Sequence, residues 1–430
     1  MSVRTISGFI SSEGSNRNTV PPNALIFISA IALIGSLYFL CIGIGYLIFS
    51  GTLPEFRLRF IQAGVCAAVI MFRGIVMFHY RLMPSKATAL LYTLFGGLAL
   101  IQGLWYLPIM NGGGSEVYFS TIGETFVASG TLAMTGESFG LLWLFGARKR
   151  LLCIAGVSYL ACVFTLGLGV QMGWNSTAQI RLMFTSETGD MIFNYLSLGD
   201  SIALLALFAM GIQRSPTMRL ATFLVGATAL FFAYSRTSFF LYIISSLFIF
   251  LIGGKHSQRL VMIASLAVII ATLIAVAGES DALQPAIDRM TVLLFNREAD
   301  ESFEARKVIL SEGLEYLREN WLIGRFLDEW WREGVGGGYI HNWLSFWQAY
   351  GLIPFLLSVF LVTVSGNSIR RRITNPTEFT GTLASFWIYA VLAIITARAY
   401  IWPYFWFAFG VITCLAAEES EKGAQKMFKN

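Results

Sequence analysis

Residues 219–253 read RLATFLVGATALFFAYSRTSFFLYIISSLFIFLIG, and this stretch decides the fold class. Two apolar runs stand on either side of Arg236, and each is close in length to the roughly 20-residue helix that crosses a hydrocarbon core of about 30 Å. The whole chain repeats this pattern, because 56% of its 430 residues are hydrophobic, only 13% are charged and the mean hydropathy is +0.66. A soluble globular domain carries about 25% charged residues. The sequence therefore predicts an all-α polytopic membrane protein.

Apolar runs of this kind predict about 12 transmembrane helices. They cover residues 24–50, 60–80, 86–110, 118–146, 151–172, 191–213, 219–235, 237–253, 259–278, 340–364, 380–397 and 400–417. Lys and Arg concentrate in alternate short loops, such as 148–150 and 370–372, and positively charged loops stay in the cytoplasm. Both termini are therefore predicted to be cytoplasmic. The run 118–146 contains Glu124 and Glu137, so it is either a tilted or broken span or a re-entrant segment.

The longest connection between predicted spans, residues 279–339, falls on the extracytoplasmic side. It divides the chain into N-terminal transmembrane helices (1–278), a large loop with an amphipathic helix (279–339), and C-terminal transmembrane helices with a cytoplasmic tail (340–430). Within the loop, the sequence FEARKVILSEGLEYLREN from Phe303 onward has a helical apolar face, and Asp300 or Ser302 can cap it.

Several arginines stand at or near the ends of apolar runs, where a charge calls for a partner or a task. Arg236 is either an interfacial side chain that reaches the headgroups or a planar fork that binds phosphate. Arg306 and Arg325, on the loop, are either solvated surface charges or site residues. Arg398 lies in a turn on the same side of the membrane. The convergence of Arg236, Arg306 and Arg398 around His341 favours a functional site.

Two charges lie deeper within apolar runs. Arg73, in MFRGIVMF, either pairs with a carboxylate such as Glu124 or Glu137 or contacts the substrate. Asp200 is open to the same two interpretations.

His341 differs from the other two histidines in its setting, because it follows a glycine-rich strip at the mouth of a predicted span. A neutral imidazole can accept a proton from a hydroxyl near neutral pH. No second His or Cys stands at a metal-ligand spacing from it, so no zinc site is predicted. His341 is either an interfacial side chain or a catalytic base.

Taken together, these features resemble the O-antigen ligase and polymerase superfamily of bacterial polysaccharide enzymes. The resemblance covers about residues 220–365 and rests on the order, spacing and sidedness of short motifs. The motifs are Ser235-Arg236-Thr237, Glu304-Ala305-Arg306, Asn320-Trp321-Leu322-Ile323-Gly324, Gly338-Tyr339-Ile340-His341-Asn342 and Tyr350-Gly351-Leu352. The family usually has a proline after the first Asn, where this chain has Trp321.

The resemblance implies a metal-independent glycosyltransferase without a cofactor, with a GT-C-like architecture and one large periplasmic loop. Its implied substrate is an undecaprenyl-diphosphate-linked oligosaccharide at the periplasmic face of the bacterial inner membrane. Membrane lipids and a chain-length regulator are expected as partners, and nucleic acid is not. Arg236 and Arg306 would bind the diphosphate, and His341 would orient or deprotonate the acceptor hydroxyl. We further expect substrate contacts from Arg398, Arg325, Tyr339, Asn342 and Arg73.

Three functions remain open at this point. A polymerase would join lipid-linked repeat units into a longer chain, and the motifs at 338–342 and 347–352 resemble polymerases more closely. A ligase would transfer the finished chain to lipid A-core. A flippase for lipid-linked oligosaccharides is the third alternative, although transporters favour charges near the membrane midplane over charges beside a large loop.

Overall fold

The fold was examined in a computed structural model, which describes residues 21–49, 58–80, 82, 95, 97–102, 104, 114–171, 195–253, 259, 301–327, 339–374, 379–400 and 402–427. In this part of the chain the regular elements are α-helices, and no strand occurs. The helices are α1 Pro22–Phe49, α2 Leu58–Tyr80, α3 Gly114–Leu144, α4 Arg148–Gln171, α5 Tyr195–Ile212, α6 Pro216–Phe232, α7 Arg236–Gly253, α8 Glu301–Glu319, α9 Leu344–Tyr350, α10 Leu352–Thr374, α11 Thr380–Thr396 and α12 Tyr404–Met427. The predicted all-α class is confirmed.

Four of these helices have segments long and apolar enough to cross a membrane: Pro22–Phe39, Ile61–Tyr80, Arg148–Leu168 and Leu352–Ile373. Shorter apolar helices accompany them at Leu196–Ile212, Pro216–Phe232, Arg236–Ile252, Thr380–Thr396 and Tyr404–Leu415. Three parts of the predicted organisation lie outside the described residues: the span 259–278 except for residue 259, most of the span 86–110, and the loop residues 279–300 and 328–338. The total of 12 spans and their orientation therefore stay predictions.

Two predicted elements differ in detail from the structure. The span predicted at 340–364 is wrong in its bounds, because the chain breaks at Gly351 into the short helix α9 and the candidate span in α10. Gly351 has φ +85°, a left-handed conformation that interrupts a helix although the apolar sequence continues. Most of the region 118–146 lies in one continuous helix, α3, which ends at Leu144, so the broken alternative is wrong, and its placement in the membrane stays a prediction. The predicted loop helix is present as α8.

Local sequence explains the helix boundaries that lead to the site. The Oγ of Ser215 accepts a hydrogen bond from the backbone N of Met218 at 3.4 Å, and Pro216 occupies the first position of α6. Tyr234, with φ +54°, ends the following turn, and α7 starts at Arg236. The chain therefore makes a tight turn between α6 and α7, close to Arg236, where the predicted spans 219–235 and 237–253 meet.

The core between the helices is largely aromatic. Phe139 of α3 makes edge contacts with Phe208 of α5 and Phe407 of α12, with ring centroids 4.8 and 5.3 Å apart. Phe39 of α1 meets Phe407 at 5.1 Å. These contacts join α1, α3, α5 and α12 into one packed body, against which the site-forming ends of α5, α7 and α11 are placed.

Candidate functional site

Asp200, on the first half of α5, is the most heavily hydrogen-bonded side chain of the site. Its side chain is 1% exposed, and it forms a salt bridge with Arg398, which follows α11. The Arg398 Nε donates to Oδ2 at 2.8 Å and Nη2 donates to Oδ1 at 3.0 Å. This bidentate geometry fixes the plane of the guanidinium as well as its distance.

Three further side chains donate to the same carboxylate. Ser238 Oγ and Tyr389 OH donate to Oδ1 at 2.6 and 2.7 Å, and Trp402 Nε1 donates to Oδ2 at 2.8 Å. Asp200, Arg398, Ser238, Tyr389 and Trp402 are called here the Asp200 cluster. They come from α5, α7, α11 and the segment between α11 and α12, so the cluster ties these parts together.

Close approach of α5 to the start of α7 makes the cluster possible. A Cβ added at Gly199 would lie 2.6 Å from the Cβ of Ser235, so a larger residue at this position would push the helices apart. Ser235 and Ser238 share a hydrogen bond between their hydroxyls at 2.7 Å. Arg236 stands between these two serines as the first residue of α7 and is half-buried.

Two buried glutamines position the backbone of the loop segment beside the site. The Oε1 of Gln348, on α9, accepts from the backbone N of Ile340 at 3.0 Å. The backbone carbonyl of Gln348 accepts from the backbone N of Arg325 at 2.7 Å. The Oε1 of Gln102 accepts from the backbone N of Phe326 at 2.7 Å. Ile340, just before His341, and Arg325, in the turn after α8, are thereby fixed to the same short helix.

The glycines of two predicted motifs pack directly against each other. Gly324 and Gly351 both have positive φ, +68° and +85°. A Cβ on Gly324 would lie 2.5 Å from the backbone N of Gly351, and a Cβ on Gly351 would lie 2.3 Å from the carbonyl O of Leu322. The motif Asn320–Gly324 forms a turn with Trp321 in the proline position, since Gly324 N donates to Asn320 O at 3.0 Å.

His341 lies just before α9, outside the candidate spans, and is half-buried. Its ring packs against Tyr339 with centroids 4.9 Å apart. Burial lowers the pKa of His341 from 6.5 to about 4, and the positive charges of Arg306 and Arg398 add to this effect. The imidazole is therefore neutral near pH 7 and keeps a lone pair that can accept a proton.

The structure brings most of the predicted site residues into one region. Arg306 and Arg398 act electrostatically on His341. Tyr339 contacts both His341 and Tyr400, with a centroid distance of 5.7 Å to the latter. Arg236 is two residues before Ser238 of the Asp200 cluster, and the backbone of Arg325 is fixed by Gln348.

Asn342 has a local structural contact, because its Oδ1 accepts from the backbone N of Leu344 at 2.9 Å at the start of α9. Arg73 forms a salt bridge with Glu137 at 3.0 Å between α2 and α3, which is one of the two pairings that the sequence predicts for it. The substrate contacts expected of Asn342 and Arg73 stay predictions.

Sequence reasoning left Asp200 ambiguous and missed Ser238, Tyr389, Trp402 and Gln348. The available signal was that a carboxylate inside an apolar run needs a partner. The partner is 198 positions away, and the sequence does not reveal that separation. In the part of the chain that is described, no group of three or more His, Cys, Asp or Glu side chains is placed to hold a metal ion.

Comparison with known proteins places this site in context. The family model described as O-antigen ligase matches residues 221–359. That stretch runs from α6 into α10 and includes the predicted site residues Arg236, Arg306, Arg325, Tyr339, His341 and Asn342. Asp200, Arg398 and Arg73 lie outside it. No curated protein and no solved structure matches the chain.

Proposed function

We propose that this chain, which belongs to the O-antigen ligase and polymerase superfamily, is a glycosyltransferase that polymerises undecaprenyl-diphosphate-linked oligosaccharide repeat units. Its product would be O-antigen or a related surface polysaccharide. The observation that carries the proposal is the neutral imidazole of His341 beside the charges of Arg306 and Arg398, with His341 and Arg306 inside the matched region. The family implies a lipid-linked oligosaccharide substrate and a multi-pass protein of the bacterial inner membrane.

In the proposed reaction, the acceptor hydroxyl attacks the anomeric carbon of the donor sugar. The new glycosidic bond forms, the bond between that carbon and the phosphate oxygen breaks, and undecaprenyl diphosphate leaves with the bonding electrons. His341 takes the proton of the attacking hydroxyl. Arg236 and Arg306 neutralise the charge that develops on the leaving diphosphate, a task that arginine forks can perform without a metal ion.

The charges around His341 suit this order of events. In the donor-free site, burial and the two arginines hold the pKa of His341 at about 4. A bound diphosphate would bring negative charge to the same arginines and so raise the pKa of the imidazole. His341 would thus become a stronger base once the donor is in place.

The remaining parts of the proposal concern membrane sidedness and partners. We place the site at the periplasmic face and both termini in the cytoplasm, on the basis of the alternation of basic loops. Arg325, Tyr339, Asn342, Arg398 and Arg73 are proposed to contact the substrate. A chain-length regulator is the proposed protein partner.

A ligase is the second candidate, because the matching family model is described as O-antigen ligase. The two reactions share the donor and differ in the acceptor, which is a second lipid-linked repeat for a polymerase and lipid A-core for a ligase.

One experiment tests the proposal and separates the two reactions. Purified protein in detergent is incubated with lipid-linked repeats, with and without lipid A-core, and the products are sized. A polymerase yields long lipid-linked chains without lipid A-core, whereas a ligase yields products only when it is added. His341→Ala is expected to lower the rate by about 10²-fold or more. His79→Ala, which changes an exposed histidine of α2, is the matched control. Full activity of folded His341→Ala, or no product with either acceptor, would contradict the proposal.

A further inference from the structure

The Asp200 cluster has a feature that the proposed reaction does not explain. Asp200 lies outside the region matched by the family model, yet it fixes Arg398. Tyr400, two residues after Arg398, contacts Tyr339, and the ring of Tyr339 packs against His341. We propose that Asp200 is a positioning residue for sugar transfer, which orients Arg398 beside His341 and aligns the first turn of α7 that begins with Arg236. This inference rests on the proposed function and adds a residue to its site.

The contacts to Arg398 restrict the guanidinium strongly. Nε and Nη2 both bind Asp200, and Nη2 also donates to the Oγ of Ser238 at 3.2 Å. Nη1 lies outside these contacts and donates to the carbonyl of Ala397 at 3.5 Å. With Nε and Nη2 both engaged, the whole fork has one orientation, and its positive charge has a fixed place relative to His341.

Ser238 links the ion pair to the position of Arg236. Its hydroxyl donates to Asp200 and accepts from Arg398, so it is bonded to both members of the ion pair. Because Ser238 lies in the first turn of α7, these bonds fix the end of the helix from which Arg236 projects. Asp200 is thus the common partner through which Arg236 on α7 and Arg398 after α11 keep their relative arrangement.

The amount of hydrogen bonding to one carboxylate argues for positioning rather than for stability alone. A buried ion pair can usually be replaced by apolar residues at little cost, so stability does not require one. Here Tyr389 and Trp402 add two more donors to a carboxylate that already binds Arg398 and Ser238. Such a saturated network specifies a single geometry, which a site that stabilises developing charge needs.

The sharpest test compares two tyrosines that differ in what they contact. Tyr389 and Tyr404 are both fully buried, but Tyr389 donates to Asp200 whereas Tyr404 shares a hydrogen bond with Ser201 at 2.9 Å. Tyr389→Phe and Tyr404→Phe each remove one hydroxyl and change no charge. We expect kcat with lipid-linked repeats to fall about 10-fold in Tyr389→Phe and to stay unchanged in Tyr404→Phe, at equal thermal stability, because small misplacement of charged groups slows catalysis.

A double-mutant cycle then asks whether Asp200 acts through Arg398. Asp200→Asn is expected to lower kcat about 100-fold. Arg398→Gln combined with Asp200→Asn pairs two neutral amides, which protects folding. Its activity is expected to fall below that of Arg398→Gln alone by much less than about 100-fold, because only the part that acts through Ser238 remains. A folded double variant with near wild-type activity, or single effects that simply multiply, would overturn the inference.

Binding of undecaprenyl diphosphate to the purified protein separates failure of this inference from failure of the proposed function. We expect Tyr389→Phe to weaken that binding several-fold and Tyr404→Phe to leave it unchanged. If the wild type transfers sugar and the two tyrosine variants behave alike, the proposed function stands and the inference is wrong. If the wild type does not transfer sugar, the proposed function is wrong, and the binding comparison still decides whether Asp200 organises an anion site.

Discussion

Arg398 and Asp200 form one buried ion pair of this chain, and Arg73 and Glu137 form another. The side chains are 6% and 1% exposed in the first pair and 6% and 3% exposed in the second, and the shortest contacts are 2.8 and 3.0 Å. Their surroundings differ. Arg398 binds with two nitrogens to a carboxylate that has three other donors. Arg73 binds Glu137 through Nη2 alone, and its Nε and Nη1 have no hydrogen-bond partner among the described residues.

The difference shows that burial alone does not separate an ion pair that orients a charge from one that merely neutralises it. Removing two charges from water is costly in both places, but only a saturated set of hydrogen bonds fixes the orientation of the ion pair. The pair at Arg398 has that set and lies beside His341. The pair at Arg73 joins α2 to α3, and in the part of the chain that the structure describes, two of its three guanidinium nitrogens make no hydrogen bond.

Replacing each pair by apolar residues should produce the largest contrast. Arg73→Met and Arg398→Met, as single changes, each leave a buried carboxylate without its cation and should lower stability by about 3–5 kcal/mol. Adding Glu137→Leu to Arg73→Met should restore stability to the wild-type level or raise it by about 1–4 kcal/mol, because the desolvation cost disappears. Chemical unfolding in detergent measures the stability of the single and double variants.

The corresponding double change at the site, Arg398→Met with Asp200→Leu, should leave transfer from lipid-linked repeats abolished even where the protein folds. Recovery of polymer formation by this variant would remove the distinction between the two pairs.

Alanine at Gly351, which packs against Gly324, should have the next largest effect on stability. Gly351→Ala places a side chain at positive φ and within 2.3 Å of a carbonyl oxygen, so we expect a loss of about 2 kcal/mol or more. Gly74→Ala, next to Arg73 in α2, is the matched control, because a Cβ there meets nothing within 4 Å. It should gain up to about 1 kcal/mol from helix propensity. Equal melting temperatures of the two variants would show that the site backbone is not tightly packed.

The last expected effect is on the pH dependence of stability, and it extends the comparison from the ion pairs to His341. The pKa of His341 is about 4 in the folded protein and 6.5 in the unfolded chain. As the pH falls, the unfolded chain therefore binds the proton before the folded protein does. The contribution of His341 to the free energy of unfolding is fully present above pH 6.5 and is lost as the pH falls from 6.5 through 4. The melting temperature of His341→Gln, measured between pH 6.5 and pH 4, should therefore decrease less than that of the wild type.

At pH 8 the imidazole is neutral in both states, so the pH-dependent part of the difference between wild type and His341→Gln should be absent there. If the melting temperature of His341→Gln decreases as steeply as that of the wild type between pH 6.5 and pH 4, groups other than His341 cause the decrease.

Much of the helical framework followed from local sequence. The runs at 60–80 and 237–253 correspond closely to Leu58–Tyr80 and Arg236–Gly253, because an apolar run of that length forms a helix wherever it lies. The break at Gly351 was missed because the residues around it are apolar on both sides. The left-handed glycine becomes necessary only when Leu322 and Gly324 pack against it.

By itself, the sequence determined the helical class, the order of the motifs and the presence of His341 after a glycine-rich strip. Only the tertiary structure decided which charges meet. Asp200 and Arg398 are 198 residues apart. Ser238 and Tyr389 donate from two further helices, and Trp402 donates from the same segment as Arg398. Apolar periodicity reports which face of a helix is buried, whereas the partner of a buried charge depends on how distant helices pack, and no local pattern encodes that contact.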